Sequence, residues 1–134
     1  LINLLLIPRK RNEKNPKRDP IFIMDSYLKN GKSLIFFPEG SRGKAGKIQV
    51  FKKGLGHLMK KNMNIPIVPV YLEGIGRVLP KGNKIMLPGI TKIYFGNPIF
   101  LENESVEEIV EKAENAVHDL KNRCDNNNSS NLRE

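Results

Sequence analysis

The residues best suited to chemistry stand together at 37–43: Phe37, Pro38, Glu39, Gly40, Ser41, Arg42 and Gly43. Pro38, with its fixed φ, makes a stiff exit from the apolar run before it, and Gly40 lets the backbone turn close beside a ligand. Arg42 offers a planar fork for two phosphate oxygens, Ser41 adds a hydroxyl donor, and the N–H groups of the turn can add a small anion nest. Together they read as an anion site. Glu39 suits that site only indirectly, because two negative charges about 4 Å apart repel by roughly 4 kcal/mol at an effective dielectric of 20. Its expected role is to orient Arg42 or to accept from a substrate hydroxyl. The plainer alternative is a surface turn in which Glu39 and Arg42 pair with each other.

The elements that must position this segment follow from apolar spacing. Pro20 suits the first turn of a helix, so residues 21–30 are predicted as a short helix ended by Asn30-Gly31. Residues 34–37 form an apolar run bounded by Gly31 and Pro38 and are predicted as a buried strand. The glycine-rich stretch 40–47 then leads into a second helix at 53–61, with Leu55, Leu58 and Met59 on one face. Residues 65–72 read as another strand, and 85–87 and 90–95 as weaker ones split by Pro88-Gly89. Ser105 followed by Glu108 makes a capping box, and Ile109, Val110, Ala113, Ala116, Val117 and Leu120 recur at helical spacing, which predicts a helix over 106–123. The polar 125–134 segment is expected to be a loose tail beyond a single domain at 1–124. Strands alternating with helices place the chain in the α/β class, where functional loops favour the C-terminal ends of strands. Residues 38–47 occupy that position.

The chain has 134 residues and a formal net charge of +9. The excess is one-sided: residues 1–61 hold 15 basic against 4 acidic side chains, and residues 62–134 hold 8 against 10. A polarised basic region points to a polyanionic surface or ligand: nucleic acid, anionic lipid headgroups or a phosphorylated small molecule. Cys124 is the sole cysteine, so no internal disulfide forms, and with two histidines a Cys/His zinc cage lacks ligands. No metal or cofactor is implied. The apolar run at 1–8 is too short to span a bilayer and lacks the flanks of a signal peptide. It begins without Met, as expected of a piece cut from inside a larger fold.

Phe37-Pro38-Glu39-Gly40-Ser41-Arg42 resembles the Phe-Pro-Glu-Gly-Thr-Arg block of the glycerol-phosphate and lysophosphatidic acid acyltransferases, with Ser41 in place of Thr. Three further stretches resemble the same family in the same order: Leu6-Ile7-Pro8-Arg9 its Ile-x-Arg block, Phe51-Lys52-Lys53-Gly54 its Phe-Lys-x-Gly segment, and Ile65-Pro66-Ile67-Val68-Pro69-Val70 its proline-bracketed strand. Gly96-Asn97-Pro98-Ile99 resembles the turn that often follows. The resemblance implies a mixed β-sheet flanked by helices. It also implies that Arg9, Glu39, Gly40, Ser41 and Arg42 bind the phosphate of the acyl acceptor, with Lys53 adding charge near it and Pro69 shaping the strand beside an acyl pocket. Arg11 competes with Arg9 for the first of these roles, and an ordinary edge-strand proline is the alternative at Pro69. The implied partners are a lysophospholipid or glycerol-phosphate acceptor and an acyl-CoA or acyl carrier protein thioester. An anionic membrane surface would meet the basic residues at 9–18, which puts the expected location on the cytoplasmic face of a membrane.

The family's chemistry rests on a His-x-x-x-x-Asp motif, in which His takes the proton of the attacking hydroxyl and Asp steadies the imidazolium. Neither His57 nor His118 fits it, since Asn62 and Arg123 stand five residues on. The resemblance puts the motif before the Ile-x-Arg block and so before Leu1, and the chain alone is expected to be inactive. Two other readings stand beside a truncated enzyme. One is a non-catalytic remnant that binds phosphate or anionic lipid. The other is a basic nucleic-acid module using Arg9, Lys10, Arg11, Lys14, Lys17 and Arg18, although Phe22, Tyr27 and Phe36 are not interleaved with those charges as stacking platforms. Gly46-Lys47-Ile48 lacks the Ser/Thr of a phosphate-binding P-loop, and Gly54-Leu55-Gly56 lacks the third glycine of a dinucleotide fingerprint.

Overall fold

The computed structural model describes residues 19–130 apart from Arg42, Pro80, Lys81, Asn83 and Lys84, and describes no side chain beyond Asn127. Helix α1, Pro20–Lys29, starts where the sequence predicts: Pro20 sits in the first turn, where its missing N–H costs nothing, and Asp19 Oδ1 accepts from the Ile21 amide at 2.8 Å. Helix α2 spans Gly54–Lys60, strand β1 Val70–Glu73, the single turn α3 Ile75–Val78, strand β2 Lys92–Phe95, and helix α4 Val106–Ser130. The chain is α/β, with helices packed on a small antiparallel sheet of β1 and β2.

The sheet is smaller than the sequence suggests. Val70 pairs with Phe95 and Glu73 with Lys92, and an isolated bridge between Ile67 and Ile99 extends the register upstream. Thus the strand predicted over 65–72 pairs first through one bridge and then as β1. Pro69 explains the gap, because it has no N–H to donate; its carbonyl accepts from Gly96 at 2.9 Å. No strand forms at 85–87, where Ile85 and Met86 are exposed and the Leu87 amide is spent on the Val78 carbonyl at 2.7 Å.

Residues 34–37 also correct the prediction. They are extended but belong to no ladder among the described residues. Leu34 and Phe36 turn toward the core as partly buried side chains, whereas Ile35 is 84% and Phe37 69% exposed. This is the alternation of a strand with one covered face, and the apolar run alone could not reveal it.

The core lies where α2 crosses α4. Leu55, Leu58 and Met59 pack with Ile109 and Ala113, joined by Met24 and Leu28 of α1 and by Phe51 and Leu101. Burying such a side chain contributes about 1.5–3 kcal/mol each. The crossing is close because Gly56 has no side chain: an added Cβ would lie 2.4 Å from the Val106 carbonyl oxygen and 2.8 Å from its Cγ1. Asn62, buried beneath α1, donates to Asp25 Oδ1 at 2.7 Å and to the Leu58 carbonyl at 3.0 Å, fastening the first two helices.

Helix α4 opens on the predicted capping box, with Glu108 Oε2 accepting from the Ser105 amide at 2.7 Å and Ser105 Oγ from the Glu108 amide at 3.2 Å. It does not stop at Arg123. It continues through Ser130, where the sequence predicts a loose tail. Two features carry it on: Cys124 is fully buried, and Lys121 pairs with Asp125 one turn later. Glu73 and Tyr94 meet Cys124 at the sheet, Tyr94 donating to Glu73 Oε2 at 3.1 Å. Burial raises the Cys124 thiol above its ordinary pKa, and the contact with Cys124 raises the Tyr94 phenol.

Candidate functional site

Residues 37–53 form a loop that doubles back on itself. The Gly40 amide closes a tight turn onto the Phe37 carbonyl at 3.1 Å, with Gly40 at φ +73°, a left-handed conformation that disfavours any side chain. The returning limb is tied to the outgoing one at three points. Lys52 donates its amide to the Pro38 carbonyl at 2.9 Å, Gln49 donates its amide to Glu39 Oε2 at 2.8 Å, and Gln49 Nε2 reaches the Ser41 carbonyl at 3.4 Å.

Glu39 therefore serves the loop's own backbone. Its carboxylate makes a charge-assisted bond ten residues along the chain, which fixes the return of the limb. Ser41 is exposed at the turn, and its hydroxyl has no partner among the described residues. The limb then ends at two anchors on α4. Glu114 Oε2 accepts from the Phe51 amide at 2.8 Å, and Lys53 Nζ lies 2.7 Å from Glu107 Oε1.

Of the residues singled out in the sequence, Glu39, Gly40 and Ser41 come together in this turn. Arg9, its alternative Arg11, and Arg42 lie outside the described residues. Lys53 is engaged with α4. Sequence reasoning missed its neighbour: an added Cβ at Gly40 would lie 2.8 Å from Lys52 Nζ and 3.0 Å from Lys52 Cε, so the stem of Lys52 runs across the glycine. Gln49 was missed too, and its side chain covers Gly43 in the same way, with the amide nitrogen 2.3 Å from an added Cβ. No local signal marks either contact, because both depend on how the limb returns beside the turn.

The two histidines stand apart from this turn. His57 is exposed on α2 and His118 half-buried on α4, and neither imidazole has a hydrogen-bond partner among the described residues. A shallow depression at the start of α4 is lined by Glu102, Glu104, Glu108, Glu111 and Lys112. Its acidic lining has the wrong sign for a phosphate. No helix among the described residues is long and apolar enough to cross a membrane.

The family model described as Acyltransferase matches residues 1–73, which takes in the whole of the doubled loop, α2 and β1. The chain belongs to the acyltransferase family. Among the relatives of this chain is a chloroplastic 1-acyl-sn-glycerol-3-phosphate acyltransferase of Brassica napus, 33% identical over 96 residues, or 71% of this chain and 28% of the relative. A chloroplastic protein of the same name from Arabidopsis thaliana is 34% identical over 95 residues, covering 70% of this chain and 26% of its own. The Pseudomonas aeruginosa protein of that name is 30% identical over 87 residues, covering 65% and 33%. The chain thus spans about a quarter to a third of the length of these relatives. No solved structure is a significant match.

Proposed function

We propose that the complete protein moves a fatty acyl group from a thioester, acyl-CoA or acyl carrier protein, to the hydroxyl of lysophosphatidic acid or a similar glycerol-phosphate acceptor. In this reading the doubled loop at 37–53 holds the acceptor's phosphate. The observation that carries it is the family match over residues 1–73, which encloses a glycine turn whose one carboxylate is already committed to the backbone. A turn so arranged leaves the exposed Ser41 and the basic side chains around it to meet an anion.

The reaction needs little else from this segment. The acceptor oxygen attacks the thioester carbonyl, the C–S bond breaks as the C–O ester bond forms, and the hydroxyl proton ends on the leaving thiol by way of a general base. That base is the His of the His-x-x-x-x-Asp motif, proposed to precede Leu1 in the complete protein. Binding the phosphate fixes the hydroxyl relative to the base, and such orientation is worth several kcal/mol of the barrier. Arg42 and Arg9 are proposed as the guanidinium clamp, and the basic residues at 9–18 as the contact with an anionic membrane on its cytoplasmic face.

The test is steady-state kinetics of the complete protein. Arg42→Ala is expected to raise the acceptor KM far more than the donor KM; equal rises in both would remove the clamp. The 134-residue chain alone is expected to transfer no acyl group. Transfer that disappears in His57→Ala would instead put the base in this chain.

A further inference from the structure

Two adjacent lysines end the return limb of the loop, and their surroundings differ. Lys53 reaches α4, where Glu107 takes its charge at 2.7 Å. Lys52 has its backbone fixed opposite the turn by the bond from its amide to the Pro38 carbonyl, 2.9 Å. Its side chain is consequently laid over Gly40, with Nζ, Cε and Cδ at 2.8, 3.0 and 3.1 Å from where a Cβ would stand. A side chain at position 40 would push the far end of that stem aside.

The Lys52 ammonium has no carboxylate partner among the described residues, and the nearest candidate in the loop, Glu39, is committed to the Gln49 amide. A cation held at an exposed glycine turn, with the exposed Ser41 next along the chain, is suited to an incoming anion. An ammonium is a compact point charge with three donors, which fits the terminal oxygens of a phosphate monoester.

We propose that Lys52, and not Lys53, is the lysine that binds the phosphate monoester at the Gly40 turn. This rests on the phosphate reading of the loop given above and adds to it a specific ligand and a reason for Gly40. Gly40 serves this arrangement in two ways: its backbone is left-handed, and its lack of a side chain leaves the Lys52 stem lying across the turn. Inorganic phosphate and a glycerol-phosphate headgroup share the chemistry that this site recognises.

The test is a titration of the ¹⁵N-labelled 134-residue chain with glycerol 3-phosphate and, separately, with inorganic phosphate, following the amides of Gly40, Ser41 and Lys52. Saturable shifts at these amides are expected with both. Tighter binding of glycerol 3-phosphate would assign the site to the headgroup, and equal binding to the phosphoryl group alone; both outcomes support the proposal. Lys52→Met keeps the stem over Gly40 and removes the charge, and should weaken binding about tenfold or more, as expected for a lost charged hydrogen bond. Lys52→Arg should restore most of it, whereas Lys53→Met should change it by less than about twofold. If Lys52→Met binds as the parent does, or if the two Met variants weaken binding equally, Lys52 is not the ligand, yet the loop remains a phosphate site. If the parent chain shows no shift at Gly40 and Ser41 with either ligand, the phosphate reading falls and the Lys52 proposal with it.

Discussion

The block where α2 meets α4 and the strip from residue 34 to residue 53 both carry apolar side chains but hold together differently. In the block, Leu58 and Ile109 are 2% and 0% exposed, and side chains meet across a helix crossing. In the strip, Ile35, Phe37 and Val50 are 84%, 69% and 78% exposed; Phe51 reaches the core, Leu34, Phe36 and Ile48 pack at its edge, and hydrogen bonds between the limbs of the loop supply the rest. Stability therefore resides in the block, and the strip is free to be shaped for a ligand. Regions that bind are commonly drawn from the less stable end of a fold.

The sharpest way to break this contrast is to truncate one side chain in each region. Ile109→Ala, made where the side chain has no access to solvent, should cost about 2–5 kcal/mol in urea unfolding. Ile35→Ser should stay within about 0.5 kcal/mol. Comparable losses would mean that the outer side chains of the strip also carry the fold. Next in size is Asn62→Ala, which leaves the buried Asp25 carboxylate with Lys29 as its remaining side-chain partner and should cost about 1–3 kcal/mol by the same measurement.

Gly40→Ala should cost less, about 1 kcal/mol, because the left-handed turn is exposed. Its effect on phosphate affinity should nonetheless match that of Lys52→Met, since the added methyl displaces the Lys52 stem. A Gly40→Ala protein that binds phosphate normally would separate the turn from the site.

The smallest effect is one of pH. Lys112 bonds to Glu104 and holds its carboxyl at about 2 against an ordinary 4.5. Lys53 lowers Glu107, and the Ser105 cap lowers Glu108. Each folded-state pKa lies below its unfolded value, so the contribution is complete above pH 4.5, is lost as pH falls toward 2, and is absent below. Thermal unfolding midpoints should fall across that window, and Lys112→Met should make them fall less. An unchanged pH slope in Lys112→Met would assign the acid sensitivity elsewhere.

Three of the four helices among the described residues were legible from the sequence because their signals are local: Pro20 starts α1, Ser105 with Glu108 starts α4, and the apolar positions of α2 and α4 recur with helical period, whereas the single turn α3 was not predicted. The far end of α4 was not, since Asp125 to Ser130 is polar and its helical state depends on Cys124 docking against Tyr94 and Glu73. Strand pairing was less legible still. An apolar run such as 34–37 declares that it is extended, while its partner depends on residues far away in sequence. In the candidate site, the residue types of 37–43 suggested an anion, and Glu39 was expected to orient Arg42 or to accept from a substrate hydroxyl. That its carboxylate closes the loop through the Gln49 amide, and that Lys52 crosses Gly40, depends on how the limb returns, which no residue within the turn encodes.

The bond from the Phe51 amide to Glu114 joins residues 63 positions apart. A contact of that span forms late, since the intervening chain must be ordered before its ends can meet. On the ribosome, the return limb would emerge long before the helix that secures it. The loop's geometry is thus completed only when α4 docks, and a chain ending ahead of Glu114 would carry every residue of the glycine turn without the clasp that holds it shut.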